Sequence, residues 1–391
     1  MPGSRYNRGM LFSSNKMDAV GPPQEEAGGL LTVDLDAIVA NWRILKDRSG
    51  DSETAAVVKA DAYGCGIVPV AKALADAGCR TFFVAHVFEG RSVRAIVPNA
   101  TVYVLNGLPP DTSEAFAAAD LRPVLGSLEE FREWQMFVKK TGWRGGAAVH
   151  IDTGMNRLGL SMEDAIALAQ GIQAEREGIT LLMSHLACAE TPAHSVNAKQ
   201  LGLFREMRAL FSGVPGSLAN SSGIFLGPDA LHDLVRPGVA LYGANPTPGH
   251  TNPMRPVVTL QGRVVQVREI ASGDSVGYGA TWIASRDSRI AIVSIGYADG
   301  LLRSASSSGR ESRAEVGFRD KRCPVVGRIS MDLLAVDVTD IAGRIPTRGD
   351  WVSLLDDNFG VDELAAHART IGYEILTSLG RRYHRIYRGE A

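Results

Sequence analysis

Short apolar runs alternate with amphipathic stretches along much of the chain, from about residue 55 to residue 243. The stretches between the runs have helical period, as in PVAKALADAG, LEEFREWQMFVKK, EDAIALAQGIQ and NAKQLGLFREMRALF. The eight strand-like runs are AAVVKA (residues 55–60), TFFVA (81–85), TVYVL (101–105), LRPVL (121–125), AAVHI (147–151), ITLLMS (179–184), GSLAN (216–220) and HDLVR (232–236). Eight successive β-then-α units favour an α/β fold with a closed (β/α)8 barrel of the TIM type over a doubly wound sheet.

The pattern changes after about residue 252, where strand-like runs follow one another with few helices between them. The runs VVTLQGRVVQVREI, RIAIVSIGYA, CPVVGRISM, LLAVDV, WVSLL and RRYHRIYRG predict a mostly antiparallel, β-rich C-terminal domain, interrupted by the helical stretch VDELAAHARTIGYEILTSLG. We therefore divide the chain into a mobile N-terminal extension (1–29), a barrel (30–253) and the β-rich domain (254–391). The segment SASSSGRES (304–312) is typical of a mobile loop.

Composition excludes several classes of protein. The 391 residues are 45% hydrophobic and 21% charged, as in ordinary globular proteins, and the net charge of -2 gives no reason to expect nucleic acid as a partner. No apolar run is long enough to cross a bilayer, and the N-terminus lacks the apolar core of a signal peptide. The four cysteines show no zinc-binding spacing, so we expect reduced thiols in a cytoplasmic protein with no metal and no membrane partner.

Unusual polar residues fall where the predicted barrel strands end. Lys59 ends the first strand, Arg157 follows the fifth, His185 follows the sixth, and Asn220, Ser221 and Arg236 lie at the ends of the last two. In this fold the chemistry sits at the carboxyl ends of the strands, and a phosphate commonly binds after strands seven and eight. The segments NSSG and RPGV supply suitable N–H groups and hydroxyls there. A lysine facing a phosphate cradle and an arginine suggests pyridoxal phosphate bound as a Schiff base.

Each of these residues also has a purely structural interpretation. A strand-end lysine is usually solvated, and a lone histidine is more often a satisfied core residue than a functional one. Arg157 and Arg236 could form structural ion pairs, and Tyr278 could be a turn residue between Gly277 and Gly279. Asp152 is best interpreted as structural, since it would orient the loop after the fifth strand. For Lys59 and His185, position beside the other motifs favours function.

Eight segments in order resemble the alanine racemase family: AVVKADAYGCG, IDTGMNRLG, MSHLACAE, ANSSG, LVRPGVALYG, VGYGATW, IGYADG and VGRISMD. The resemblance runs from about residue 31 to the C-terminus. It implies a (β/α)8 barrel followed by a β-rich domain, which agrees with the pattern described above. It also implies pyridoxal 5'-phosphate as cofactor and a head-to-tail homodimer with shared active sites.

The resemblance assigns roles to individual residues. Lys59 would bind the cofactor as a Schiff base and act as the base on one face of the substrate, and Tyr278 of the other subunit would be the base on the opposite face. The residues that would hold the cofactor are Tyr63, His185, Asn220, Ser221, Arg236, Gly238, Val239 and Tyr373. Arg157 and the backbone of Met331 would bind the substrate, and the entrance would be lined by Tyr297, Arg303, Arg328 and Asp332.

One position departs from the family pattern. Many members carry a carbamylated lysine seven residues before the arginine that corresponds to Arg157, whereas this chain has His150. A histidine cannot supply the negative charge of a carbamate. We therefore expect Arg157 to be held by a bound anion such as chloride, by water, or directly by neutral His150.

The sequence thus predicts interconversion of L-alanine and D-alanine by two bases, supplying D-alanine for peptidoglycan. A related racemase that prefers serine or has broader specificity has the same architecture and remains an alternative. A decarboxylase sharing the barrel and cofactor would lack the base at Tyr278. A non-enzymatic pyridoxal phosphate carrier is usually a lone barrel, so the β-rich second domain argues against it.

Overall fold

The computed structural model describes residues 21–171, 178–307 and 314–389. Within these ranges the strands are β1 (Gly29–Asp34), β2 (Glu53–Thr54), β3 (Ala56–Val57), β4 (Thr81–Val84), β5 (Thr101–Val104), β6 (Arg122–Leu125), β7 (Ala147–His150), β8 (Ile179–Met183), β9 (Gly216–Ser217), β10 (Leu234–Val235), β11 (Val258–Ile270), β12 (Ser275–Val276), β13 (Trp282–Ile283), β14 (Ser288–Val293), β15 (Glu315–Phe318), β16 (Lys321–Val326), β17 (Leu334–Asp337), β18 (Trp351–Leu355) and β19 (His384–Arg388).

The helical elements in the same ranges connect these strands. They are α1 (Leu35–Ser49), α2 (Lys59–Tyr63), α3 (Ile67–Asp76), α4 (Val87–Ile96), α5 (Ser113–Ala118), α6 (Leu128–Thr141), α7 (Met162–Gly171), α8 (Ser195–Leu210), α9 (Val361–Ala368) and α10 (Gly372–Ser378). Short 3-10 helices occur at Gly223–Phe225, Pro228–Ala230, Val239–Tyr242, Tyr278–Ala280, Tyr297–Asp299 and Arg303–Ala305. The predicted helical stretch near the C-terminus is divided into α9 and α10, because Arg369 adopts a left-handed conformation with φ of 57°.

The barrel strands follow chain order around a closed ring. Strands β3 to β9 form one parallel sheet, and β10 pairs in parallel with β2, which immediately precedes β3. Hydrogen bonds from Asp233 N to Gly216 O and from Arg236 N to Ala219 O connect β10 to the β9 side. Bonds from Ala55 N to Val235 O and from Val57 N to Pro237 O connect it to the first strand. The predicted (β/α)8 barrel is confirmed, and each of the eight predicted runs contains a barrel strand.

The last two units differ from the predicted pattern of a helix after every strand. The strands β9 and β10 are followed by 3-10 helices, including Gly223–Phe225 and Val239–Tyr242. The sequence there, NSSGIFLGPDA and RPGVALYG, is rich in Gly, Pro and Ser, which are poor formers of a long helix. Instead α1, which precedes the first strand, lies against the Val239–Tyr242 helix and completes this side of the barrel.

The C-terminal part is a closed, mostly antiparallel sheet. Its strands are ordered β14-β17-β16-β15-β18-β11-β1-β19, and β14 also pairs with β11. The 13-residue strand β11 is long enough to pair with β1 and β18 along its first half and with β14 along its second. Strand β15 was not predicted. Of the loop predicted at 304–312, residues 308–312 lie outside the described residues.

The segment around residue 30 pairs with strands from the far end of the chain. Strand β1 pairs with β11 and β19, so it belongs to the C-terminal sheet although the boundary at 30 assigned it to the barrel. Residues 1–20 of the predicted mobile extension lie outside the described residues. Within residues 21–28, Pro22 O accepts a hydrogen bond from His384 and Ala27 O accepts one from Arg263. The described ranges contain no helix long and apolar enough to cross a membrane.

Candidate active site at the carboxyl end of the barrel

A cavity of about 510 Å³ opens at the carboxyl ends of the barrel strands. Its walls combine side chains from the loops after the first, third, fifth, sixth, seventh and eighth strands with two residues of α10. The lining residues are Val57, Lys59, Ala60, Tyr63, Leu105, Asn106, His150, Arg157, Leu158, Met183, His185, Asn220, Ser221, Arg236, Gly238, Val239, Tyr373 and Thr377. This described lining contains two arginines and a lysine but no aspartate or glutamate, so the cavity favours anionic ligands.

Lys59 enters this cavity two residues beyond the end of β3 rather than from the strand itself. It is half-buried, and burial lowers the pKa of its ammonium group. The nearby positive charge of Arg157 lowers this pKa further, while the carboxylate of Glu89 acts in the opposite direction. A larger fraction of Lys59 is therefore a free amine near neutral pH than for a solvated lysine.

The residues after Lys59 form a left-handed turn. Ala60, Asp61, Ala62 and Tyr63 have φ between 53° and 54°, a region that residues with a Cβ rarely adopt in succession. Gly64 continues the turn with φ of 79°, and a Cβ there would lie 2.2 Å from Leu376 O. The turn places the ring of Tyr63 against that of Tyr242, with 4.7 Å between centroids. Tyr63 therefore lines the cavity beside Lys59.

Arg236, which is buried, and His185, which is partly buried, form a pair. Arg236 donates hydrogen bonds to Ser217 Oγ and to Ser184 O (2.6 Å), and its Nη2 lies 3.3 Å from His185 Nδ1. Burial lowers the pKa of Arg236 to about 9, so it stays cationic at neutral pH. Burial, followed by the charge of Arg236, lowers the pKa of His185 well below its ordinary value, so His185 is neutral. Since arginine can only donate, Nδ1 of His185 is the acceptor and the ring proton lies on Nε2.

The loops after β9 and β10 are held together by hydrogen bonds from backbone N–H groups to side chains. Ser221 Oγ accepts hydrogen bonds from Gly238 N (2.9 Å) and Ala240 N (3.3 Å), and Asn220 Oδ1 accepts one from Gly223 N (2.8 Å). A Cβ at position 238 would lie 2.5 Å from the hydroxyl oxygen of Tyr63, so glycine lets this hydroxyl approach the backbone closely. Tyr373 extends from α10 into the same wall and donates a hydrogen bond to Glu190 (3.3 Å).

Arg157 lies on a loop that is ordered by Asp152. The Asp152 carboxylate accepts hydrogen bonds from the N–H groups of Gly154, Met155 and Asn156, which confirms the structural interpretation of this residue. His150, at the end of β7, lines the cavity together with Arg157 and is only 8% exposed. Burial, with the charge of Arg236 next in importance, lowers the pKa of His150 to about 4, so the side chain is neutral at physiological pH.

The other predicted site residues lie on the C-terminal domain and do not line the cavity of the same chain. Tyr278 is 71% exposed, Met331 53% and Tyr297 41%. They are close to one another: Met331 O accepts a hydrogen bond from Ala298 N, and the backbone of Gly277 lies near that of Arg328. Asp332 forms an ion pair with Arg382. Arg303 lies in its own 3-10 helix in the same domain. One chain therefore brings together the predicted cofactor-binding residues but not Tyr278.

Two residues that hold this site were missed by sequence reasoning. Glu89 is buried and accepts a hydrogen bond from Ala60 N, and Arg385 is buried and donates to Gly64 O (2.6 Å). For Arg385 a signal existed, since the alternation in RRYHRIYRG places Arg385 of β19 on the same side as Tyr383, which precedes the strand and is also buried. For Glu89 the available signal was its place in the first turn of α4, a common position for a capping glutamate.

The comparisons with known proteins agree with this geometry. The family models "Alanine racemase, N-terminal domain" and "Alanine racemase, C-terminal domain" match residues 33–246 and 257–387. An alanine racemase of Methylobacterium sp. (strain 4-46) is 51% identical over 360 residues, which cover 92% of this chain and 98% of that protein. One of Rhizobium meliloti (strain 1021) is 48% identical over 372 residues, 93% of this chain and 98% of its own.

Solved structures show the same likeness across both domains. The crystal structure of alanine racemase from Bartonella henselae, with covalently bound pyridoxal phosphate, has a TM-score of 0.88 at 41% identity. The matched region covers 93% of this chain and all of the Bartonella henselae chain. The biosynthetic alanine racemase from Pseudomonas aeruginosa has a TM-score of 0.85 at 33% identity, with the same coverage. This chain belongs to the alanine racemase family.

Proposed function

We propose that the protein is a pyridoxal-phosphate-dependent amino-acid racemase that interconverts L-alanine and D-alanine. The observation that carries the proposal is the cavity in which Lys59 lies with Ser221, two arginines and no carboxylate among its described lining residues. These residues fit the cofactor, because a phosphate dianion needs N–H donors and cationic surroundings. The missing Cβ at Gly238 instead admits the Tyr63 hydroxyl, which lies 2.5 Å from where that atom would stand.

The cofactor would be held by residues from several loops. Its aldehyde would bind Lys59, and its phosphate would be held by Tyr63, Asn220, Ser221, Gly238, Val239 and Tyr373. Arg236 would donate to the ring nitrogen and His185 would lie against the ring. When bound, pyridoxal phosphate makes the α-proton of an attached amino acid more acidic by delocalising negative charge.

Racemisation then requires one proton to leave from one face and one to return on the other. The lowered pKa of Lys59 suits its amine to accept or return the α-proton on one face. Tyr278 would serve the opposite face from the partner subunit of a homodimer. Its exposure on the surface of one chain supports this arrangement, because the hydroxyl can then reach a site on another copy.

The substrate carboxylate would bind Arg157 and the backbone N–H of Met331 from the partner subunit. Neutral His150 lies in the same cavity as Arg157 and carries no charge that could hold the guanidinium. We infer that Arg157 is positioned by a bound anion such as chloride, by water or by direct contact with His150. Tyr297, Arg303, Arg328 and Asp332 of the C-terminal domain would line the entrance of the partner's site.

The physiological role that follows from this reaction is the supply of D-alanine for peptidoglycan. The alternative is a racemase with serine or broader specificity, since the entrance residues lie on the part of the site that a second chain would complete. The cytoplasmic location also remains a prediction from the sequence.

The proposal is tested with purified protein and enantiopure L-alanine. We expect D-alanine to form until both enantiomers are equal, and Lys59→Ala to reduce kcat by at least about a thousandfold, because both proton transfer and cofactor attachment are lost. Borohydride treatment followed by peptide mapping should place the reduced cofactor on Lys59. Parallel assays with L-serine decide between the two substrates. A wild-type protein that racemises neither amino acid would contradict the proposal.

A further inference from the structure

Glu89 is a buried carboxylate that the proposed reaction does not use. It lies in the first turn of α4, is 5% exposed and accepts three backbone hydrogen bonds. Oε2 accepts from Ala85 N (2.8 Å) and His86 N (3.0 Å), which satisfies N–H groups at the start of its own helix. Oε1 accepts from Ala60 N (2.7 Å), which belongs to a different loop. Only the bond to Ala60 connects α4 to the loop after β3.

The bond to Ala60 acts at the point where the chain becomes strained. Ala60 directly follows Lys59 and is the first of four consecutive residues with φ near 54°. A conformation of this kind persists only where the surroundings determine it, and a charged acceptor makes a stronger hydrogen bond than a neutral one. The carboxylate therefore fixes the backbone on the carboxyl side of Lys59.

We propose that Glu89 is a positioning residue that holds the Lys59 turn in its left-handed form and so sets the direction in which the lysine enters the cavity. The inference rests on the proposed function, in which Lys59 is the reacting amine. Glu89 does not line the cavity, so it acts through the backbone of Ala60 rather than on the substrate.

The charge of Glu89 gives this role a measurable signature. The groups that face Lys59 are Arg157 on the loop after β7, His185 after β8 and Glu89 on α4. Arg157 lowers the pKa of Lys59 and Glu89 raises it, while neutral His185 adds no charge. Removal of the Glu89 charge should therefore lower the pKa of Lys59 further.

The test uses Glu89→Gln and Glu89→Asp in the full-length protein. Glutamine keeps the size but removes the charge, and its NH2 group must face a backbone N–H on one side. We expect kcat for alanine to fall about ten- to a hundredfold with KM changed less than about threefold, because a misplaced reacting group loses catalysis more than binding. Aspartate keeps the charge but is too short to reach Ala60, so it should lower kcat as well.

Lys59 reactivity provides a readout that does not depend on activity. In cofactor-free protein, the pH midpoint for acetylation of Lys59 by acetic anhydride, mapped by mass spectrometry, should shift to lower pH in Glu89→Gln and stay near the wild-type value in Glu89→Asp. If the wild-type protein fails to racemise alanine, the proposed function is lost but the shift in midpoint still reports on the contact.

Glu130 offers a matched control. Its carboxylate accepts hydrogen bonds from Leu108 N (3.0 Å) and Gly126 N (2.6 Å), so it also ties two barrel loops together, but it makes no contact with the Lys59 turn. Glu130→Gln should lower the melting temperature about as much as Glu89→Gln without shifting the Lys59 midpoint. The inference is overturned if Glu89→Gln lowers only the melting temperature and leaves both kcat and the midpoint at wild-type values.

Discussion

The ionisable side chains that line the cavity are mostly basic, yet not all of them carry charge. Burial keeps His150 and His185 neutral, so the fixed positive charges near Lys59 come from Arg157 and Arg236. Uncompensated buried charge is costly, and such an arrangement persists where an anionic ligand offsets that cost. The two neutral imidazoles also make the folded protein sensitive to acid, since each must stay unprotonated while it is buried.

The pH dependence of stability should show the contribution of His150. Its folded pKa of about 4 lies below the ordinary value of 6.5, so between these values the unfolded chain binds a proton that the folded chain does not. Stability therefore falls as the pH decreases from about 6.5 to 4. His150→Asn removes this contribution, which amounts to about 2 kcal/mol at pH 5. Urea unfolding at pH 7.5 and pH 5 measures the difference.

The exposed His250 provides the control for this experiment. His250→Asn should unfold like the wild-type protein at both pH values. In His150→Asn the loss of stability between pH 7.5 and pH 5 should be smaller than in the wild type, although His185 still contributes in the same direction. An unchanged loss would mean that His150 is protonated equally in the folded and unfolded states.

At the scale of elements, the Lys59 turn is held from both domains. Glu89 of α4 fixes its beginning, and Arg385 of β19 fixes its end through Gly64 O. Arg385 also donates to Gly380 O (3.0 Å) and Leu379 O (3.3 Å), so its guanidinium joins three backbone carbonyls from two separate segments. The C-terminal sheet thus supports the site that lies in the barrel.

Arg385→Met tests this support. The substitution keeps an apolar stem but leaves three carbonyl groups without their donor, which should cost about 3 kcal/mol of stability. The melting temperature should fall, and the protein should retain its cofactor less firmly during dialysis because the turn loosens. Arg388→Met, at the exposed end of the same strand, is the control and should behave like the wild type. Equal behaviour of the two variants would contradict a role for Arg385 in holding the turn.

Much of the architecture could be predicted because it depends on local pattern. The alternation of apolar runs placed all eight barrel strands, since each buried parallel strand is a short continuous run of apolar residues. The strain of residues 60–63 could not be predicted, because nothing in the letters ADAY forbids an ordinary helix. The pairing of β1 could not be predicted, because its partners β11 and β19 lie more than two hundred residues away.

The candidate site could be predicted because the positions of the barrel strands could be predicted. Once the strands were placed, Lys59, His185 and Arg236 had to share one end of the barrel, and they do line one cavity. Their roles remain predictions. Glu89 was not predicted, because a buried glutamate is recognised by the N–H groups that surround it in the fold. Two of these N–H groups belong to the start of its own helix and one belongs to a distant loop.

At the scale of the whole molecule, the proposed pair of bases is divided between two surfaces. Lys59 lies in the barrel cavity, whereas Tyr278 lies on an exposed turn of the C-terminal domain, which carries other exposed apolar side chains as well. Among the described residues this exposed group includes Ile283, Met331 and Leu333. Large apolar side chains exposed together often mark a surface that binds another protein. A second copy of this chain would cover these apolar side chains and would bring Tyr278 to the site that contains Lys59.

Mixed dimers test this arrangement directly. Lys59→Ala and Tyr278→Ala should each be nearly inactive alone. A dimer with one chain of each kind contains one site with both substitutions and one with neither, if the two bases come from different chains. Random subunit exchange makes about half of the dimers mixed, so activity should recover to about a quarter of the wild-type value. Size-exclusion chromatography checks that dimers persist. No recovery despite confirmed exchange would place both bases in one chain, and the shared site would have to be abandoned.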